Sequence, residues 1–251
     1  MLVMGILNVT PDSFADGGRH NEFEAAVARG IEMIAEGVDI IDVGGESTRP
    51  GAERVSEEEE IARTIPVIAE LAKHGATISI DTMRASTAEA AVKAGASIIN
   101  DVSGGLADPE MLQTAARLGV PYIAMHWRGQ SKDMNSKAIY NDVVIDVISE
   151  LQERITAALD AGIEVGNLII DPGLGFAKDA EHNWEIIDSI DSFVDLGYPV
   201  LVGASRKRFL GGDSPDEREQ ATIDLTKRLA TTGVWAVRVH SVKPHKEVLA
   251  Q

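Results

Sequence analysis

Cysteine is absent from this chain of 251 residues. Disulfide staples, thiolate nucleophiles and zinc–thiolate sites are therefore excluded, and the composition is compatible with a reducing cytoplasm. Long apolar runs are also missing. Nothing approaches the roughly eighteen consecutive apolar residues of a membrane helix, and Met1-Leu2-Val3-Met4 carries no charged segment leading into a long apolar one. A soluble, unexported, cytoplasmic protein is the expectation. Positive charge is scarce: Lys plus Arg number 23 against 40 Asp plus Glu, a net charge of −17. That balance argues against nucleic acid or an anionic membrane surface as the main partner, because both are repelled at long range. A small anionic substrate is still allowed, since local cations or a bound metal reverse the sign inside a cleft. There is no linker rich in Pro, Gly or Ser, and no HExxH, EF-hand or Walker pattern. Gly173-Leu174-Gly175 lacks the following helix-opening glycine of a dinucleotide fingerprint.

What is present is a repeated unit. Seven glycines, Gly37, Gly75, Gly95, Gly119, Gly162, Gly197 and Gly233, each close a stretch with apolar residues at helical spacing and are followed by a short apolar run. Most of these runs end in a polar residue, as in Ile40-Ile41-Asp42, Ile78-Ser79-Ile80-Asp81 and Leu168-Ile169-Ile170-Asp171. With the opening run Leu2 to Asn8 the strands number eight. Strand then helix, repeated in this way, predicts a (β/α)8 TIM barrel, and the length suits one domain over residues 1–251. In such a barrel the site is built at the carboxyl ends of the strands. Asn8, Asp42, Asp81, Asn100, Asp101, His126, Asp171, Arg238 and His240 fall there.

Three connections are longer than the chain needs: Asn8 to Gly18, Gly44 to Gly51, and Trp127 to Tyr140. Loops of that kind carry binding residues or lids. At the strand ends the chemistry divides by sign. Asp81, Asn100 and Asp171 suit the donor-rich edge of a flat heterocycle, whereas Lys207, Arg49, Arg238 and His240 suit a polyanion. Other conspicuous features have plainer readings. Ser56 with Glu59 three residues on is a capping box, so Ser56 to Glu60 reads as a solvated helix start. Trp184, His182 and Trp235 read as packing residues.

The segments Leu7-Asn8-Val9-Thr10-Pro11-Asp12-Ser13-Phe14, Asp42 to Gly51, Ser79-Ile80-Asp81-Thr82, Ile99 to Gly105, Asp171 to Lys178, Gly203 to Leu210 and Arg238-Val239-His240 together resemble the dihydropteroate synthase family. They occur in that family's order along essentially the whole chain, and Met125-His126-Trp127-Arg128 is similar to the version in actinobacterial members. The resemblance implies a folate-pathway transferase that joins para-aminobenzoate to 6-hydroxymethyl-7,8-dihydropterin pyrophosphate and releases pyrophosphate. It implies that Asp81, Asn100, Asp171 and Lys207 hold the pterin, with Met125 and Phe176 lining its slot. Asn8 would bind magnesium, and Arg49, Arg238 and His240 would take the pyrophosphate. Phe14, Thr48, Pro50 and Ser205 would frame the aminobenzoate. Lys207, Arg49 and Asp81 are the catalytic candidates. A homodimer is also implied. Two neighbouring readings are a methyltetrahydrofolate methyltransferase, which shares the barrel, and a non-enzymatic pterin-binding paralogue. The first does not call for both the Thr48-Arg49-Pro50 loop and the Arg238-Val239-His240 segment, and the second would be expected to have eroded loops.

Overall fold

A computed structural model of the chain describes residues 1–10, 18–46, 55–130 and 134–251. Strands and helices alternate. β1 (Leu2–Asn8), α1 (Gly18–Ala35), β2 (Ile40–Gly44), α2 (Glu57–Lys73), β3 (Ile78–Asp81), α3 (Ala85–Ala94), β4 (Ile98–Asp101) and α4 (Met111–Leu118) form the first half. The second half comprises β5 (Tyr122–Met125), α5 (Val143–Asp160), β6 (Leu168–Asp171), α6 (Ala180–Asp188), α7 (Ile190–Val194), β7 (Leu201–Val202), α8 (Glu219–Leu229), β8 (Ala236–Val239) and α9 (Lys243–Leu249). All strand pairs are parallel, in the order β6-β5-β4-β3-β2-β1-β8-β7. A parallel bridge from Ile170 to Val200 joins the two ends of that order, so the sheet curls into the expected (β/α)8 barrel.

The repeated glycine signal has the predicted physical basis. All seven glycines adopt positive φ, from 66° at Gly119 to 120° at Gly95. At Gly95 the requirement is double, because a Cβ would also stand 2.7 Å from the Ala72 side chain of the neighbouring helix. Ser56 caps α2 as expected, accepting from Glu59 N–H at 3.2 Å. The solvated reading of that helix start needs correction at one position. Glu60 is buried, accepting from the Thr82 hydroxyl at 2.6 Å and from the Arg84 guanidinium. A helix start faces solvent on one side only, and Glu60 lies on the side that packs on β3 and α3.

Two apolar layers hold the fold. The larger lies between sheet and helices, and a smaller one, built on Met4, Ile40, Ile98, Ile123, Ile169, Leu201 and Ala236, fills the barrel near the strand starts. Trp235 packs against this inner layer, as a packing residue should. Trp184 is more exposed than that reading predicts, at 38%, and lies edge-on to Phe209 at 5.8 Å. His182 completes a capping box with Asp179 at the start of α6. Among the described residues no helix is long and apolar enough to cross a membrane.

Candidate active site

Side chains alternate across a strand, so the inner apolar layer predicts what stands above it. Two residues beyond Ile40, Ile98, Ile123, Ile169, Leu201 and Ala236 are Asp42, Asn100, Met125, Asp171, Gly203 and Arg238. Asp81 on β3 lies in register with Asn100, and Asn8 on β1 in register with Gly44. A polar ring therefore caps an apolar plug.

Its centre is a charge cluster. Arg238 Nε donates to Asp42 Oδ2 at 2.6 Å and Nη2 donates to Asp81 Oδ2 at 2.7 Å. Asn100 Nδ2 also donates to Asp42 Oδ2, at 3.1 Å, which commits one of its two amide N–H groups and leaves its carbonyl oxygen as acceptor. The second oxygen of Asp42 is buried without a hydrogen-bond partner among the described residues. Burial pushes the Asp81 carboxyl up to about 7, against the pull of Arg238. Asp171 is likewise raised by burial, although its Oδ1 accepts from Gly173 N–H at 2.7 Å. Arg238 is expected from sequence to face a polyanion. In the structure its guanidinium turns into the ring, where two carboxylates already balance its charge.

Lys207 stands at the rim. Its ammonium donates to the Leu174 carbonyl and lies 4.6 Å from the centroid of the Phe176 ring. Burial pulls it down to about 8, with Asp171 opposing. Two glycines keep the floor open. A Cβ at Gly203 would come within 4.0 Å of Asp171 Oδ2, Lys207 Nζ and the Arg238 side chain. One at Gly44 would lie 3.6 Å from Asp81 Oδ2 and 3.8 Å from Asn8 Oδ1. Met125 is buried at the end of β5, beside Gly173. Ser205 Oγ and His240 Nδ1 are 2.9 Å apart, so these two residues form one unit next to Arg238. Arg206 between them and Lys207 is held left-handed, φ 57°, by Glu219 at 2.6 Å and Ser241 at 2.8 Å. For a residue with a Cβ that conformation costs about 1 kcal/mol, a strain the two contacts offset.

Two strand-end residues do not join the ring. Asp101 and His126 follow inward residues and so face outward, as the alternation requires. Asp101 accepts from Ser103 N–H and Oγ–H, Gly105 N–H and Tyr122 Oη–H, and braces the β4 loop. His126 is buried against Glu150 of α5. Phe14, Thr48, Arg49 and Pro50 lie outside the described residues. The features that sequence reasoning missed are the Asp42–Arg238 pairing, the buried Glu60–Arg84 pair and Lys178. The first was visible only as an Asp and an Arg, each on an inward strand position.

The strand ends thus bring together an acceptor-rich ring with one amide, a lysine against an aromatic face and an adjoining Ser–His unit, chemistry that can hydrogen-bond a flat polar ring. Residues 4–240 match the family described as pterin binding enzymes. A dihydropteroate synthase of Mycobacterium leprae is 48% identical, covering 98% of this chain and 90% of the relative. The solved dihydropteroate synthase of Xanthomonas albilineans with 4-aminobenzoic acid is similar at a TM-score of 0.93 and 44% identity, covering 99% of this chain and 90% of that one. The same organism's enzyme in complex with 7,8-dihydropteroate has a TM-score of 0.90 and 40% identity, covering 99% and 91%. The chain belongs to the dihydropteroate synthase family of pterin-binding transferases.

Proposed function

We propose that the chain joins para-aminobenzoate to 6-hydroxymethyl-7,8-dihydropterin pyrophosphate, giving 7,8-dihydropteroate and pyrophosphate for folate biosynthesis. The observation that carries this reading is the inward ring of Asp81, Asn100, Asp171 and Lys207 beside Phe176. The ligands of the Xanthomonas albilineans enzyme, 4-aminobenzoic acid and 7,8-dihydropteroate, support the same two chemistries here.

The Asp171 and Asp81 carboxylates and the Asn100 carbonyl accept from the pterin's N–H groups, and Lys207 donates to a ring acceptor. Phe176 and Met125 present apolar surface to the flat ring. The bond between the pterin methylene and the pyrophosphate oxygen breaks, and the electron pair leaves with pyrophosphate. The aminobenzoate nitrogen bonds to the methylene and gives up a proton. Cations near the departing anion and exclusion of water lower this barrier more than a strong base does. His240, oriented by Ser205, with Arg49 from the β2 loop, serves that end, and Phe14, Thr48 and Pro50 frame the aminobenzoate.

Magnesium is the proposed metal, and Asn8 its protein ligand. The Asn8 carbonyl oxygen is a hard donor at the mouth beside Gly44, and among the described residues no group of three His, Asp or Glu side chains converges as a cage. Such a donor set fits an ion that keeps waters and takes the rest of its shell from substrate phosphates. Bound there, magnesium would offset charge on the departing pyrophosphate. A cytoplasmic location and a homodimer complete the reading. The test is pyrophosphate release after mixing the protein with dihydropterin pyrophosphate, with and without para-aminobenzoate and magnesium. Release that depends on all three is the expected result. No release with all three present, or methyl transfer from methyltetrahydrofolate, would overturn it.

A further inference from the structure

The loop from β6 to α6 carries Phe176 and backs Lys207, yet three of its residues have positive φ: Gly173 at 69°, Gly175 at 76° and Ala177 at 48°. The two glycines take that region freely, but Ala177 keeps it only because surrounding contacts hold it there. One buried side chain braces two of the loop's carbonyls from within, alongside Asn183 Oδ1, which accepts from Gly175 N–H at 2.6 Å, and Tyr140 Oη, which donates to the Ala177 carbonyl at 3.0 Å. Lys178 Nζ lies 2.9 Å from His126 Nδ1, 3.1 Å from the Gly173 carbonyl and 3.1 Å from the Phe176 carbonyl.

Proton placement follows from what the neighbours can accept. His126 Nε2 is 2.9 Å from Glu150 Oε2, and Arg128 Nε donates to the same carboxylate at 3.0 and 3.1 Å. A carboxylate held by Arg128 only accepts, so His126 Nε2 carries a proton. In the neutral ring Nδ1 then accepts. Burial and the neighbouring Lys178 hold His126 down at about 4, which keeps the ring neutral. Three acceptors around one nitrogen match the three protons of an ammonium. Burial pulls that ammonium down to about 7 against Asp171, with Lys207 and Arg128 adding to the fall and Glu150 opposing it.

We propose that Lys178, oriented by His126 and Glu150, is a positioning residue for the pterin: its two bonds to the Gly173 and Phe176 carbonyls, with the third tying it to His126, help hold the Gly173–Ala177 backbone so that Phe176 and the Leu174 carbonyl stand where Lys207 and the ring need them. Lys178 itself does not touch substrate. The inference rests on the pterin-binding role proposed above for Asp171, Phe176 and Lys207.

The variant Lys178→Met keeps the apolar stem and removes all three donors. Calorimetry with 6-hydroxymethyl-7,8-dihydropterin pyrophosphate should show Kd raised roughly tenfold or more, the scale expected when buried acceptors lose their donor. KM for that substrate should rise in step, while KM for para-aminobenzoate at saturating pterin stays at its wild-type value. Equal pterin Kd in wild type and folded variant would overturn the proposal. Should Lys178→Met fail to fold, Glu150→Gln decides. Arg128 retains the amide carbonyl, so the amide nitrogen faces His126 Nε2 and forces the ring proton to Nδ1, against Lys178. Weakened pterin binding in Glu150→Gln supports the positioning role, and unchanged binding rejects it. Wild-type protein that does not bind the pterin pyrophosphate at all would instead sink the functional reading, and this proposal with it.

Discussion

Arg238 on β8 and Asp42 on β2 meet at 2.6 Å although 196 positions separate them, because both strands flank β1. The pair is shared rather than isolated: the same Asp42 oxygen takes Asn100, and Arg238 reaches on to Asp81. Asp42 therefore sets the orientation of two ring residues while being fully buried itself.

Replacing Asp42 by Asn keeps volume but removes the charge that fixes Arg238. The expected outcome is a fall in kcat/KM of about tenfold or more, equivalent to about 1.4 kcal/mol of lost transition-state stabilisation. Asp42→Ala should in addition lower stability by about 1–3 kcal/mol, because Arg238 and Asn100 each lose a buried acceptor. Steady-state kinetics and urea unfolding read the two effects. Wild-type kinetics in Asp42→Asn would remove this residue from the site.

Acid–base behaviour should oppose activity to stability. The roles proposed above need Asp81 as carboxylate and Lys207 as ammonium, and burial moves the first up to about 7 and the second down to about 8. A narrow bell in kcat/KM against pH is expected, falling on the acid side with Asp81 and on the alkaline side with Lys207. For stability the sign reverses at Lys207. Its folded value lies below its ordinary 10.5, so between about 8 and 10.5 the unfolded chain binds more protons and stability rises with pH. Unfolding of wild type and Lys207→Met across that window should diverge, the wild type gaining. Parallel curves would contradict this assignment.

Below the β2 loop, Glu60 is buried with Oε1 on the Thr82 hydroxyl at 2.6 Å and Oε2 on Thr87 at 3.2 Å and on Arg84. Arg84 also reaches Glu46 at 3.0 Å and the Val55 carbonyl at 2.6 Å. Arg84→Met strands a buried carboxylate and should cost about 3–5 kcal/mol. The double variant Arg84→Met/Glu60→Gln should recover part of that loss in urea unfolding. A double variant no more stable than the single one would show that the pair is not the source.

Metal removal gives a direct outcome. Excess chelator should abolish pyrophosphate release, and Asn8→Ala should move the midpoint of the magnesium titration upward by roughly tenfold, since ligand loss weakens a site that relies on few protein oxygens. Full turnover in chelator, with metal content checked, would exclude a magnesium requirement.

Local rules make the barrel legible in the sequence. Gly37, Gly95 and their five counterparts take the left-handed conformation their position after a helix demands, and runs such as Ile40-Ile41-Asp42 carry a strand's spacing into a polar end. Those are properties of neighbours in sequence. So were the inward positions Asp81, Asn100 and Asp171, because one strand end after another enters the same mouth.

Which strand-end residues face each other was decided by tertiary structure. Asp101 and His126 have the chemistry of site residues, yet a single step along the strand turns them outward into loop-bracing contacts. Glu60 looked solvated because a run of four glutamates at a helix start ordinarily is, and only the packing of α2 on β3 and α3 buries it. Arg238 carries its charge in any sequence window, but Asp42 and Asp81 neutralise it only once barrel closure brings β8 beside β1. Lys178 was one more lysine after a glycine-rich turn. Its three acceptors come from the loop's own left-handed path and from a histidine 52 residues away. Hydrogen bonds across such separations depend on strand register and barrel curvature, which no local pattern of residues encodes.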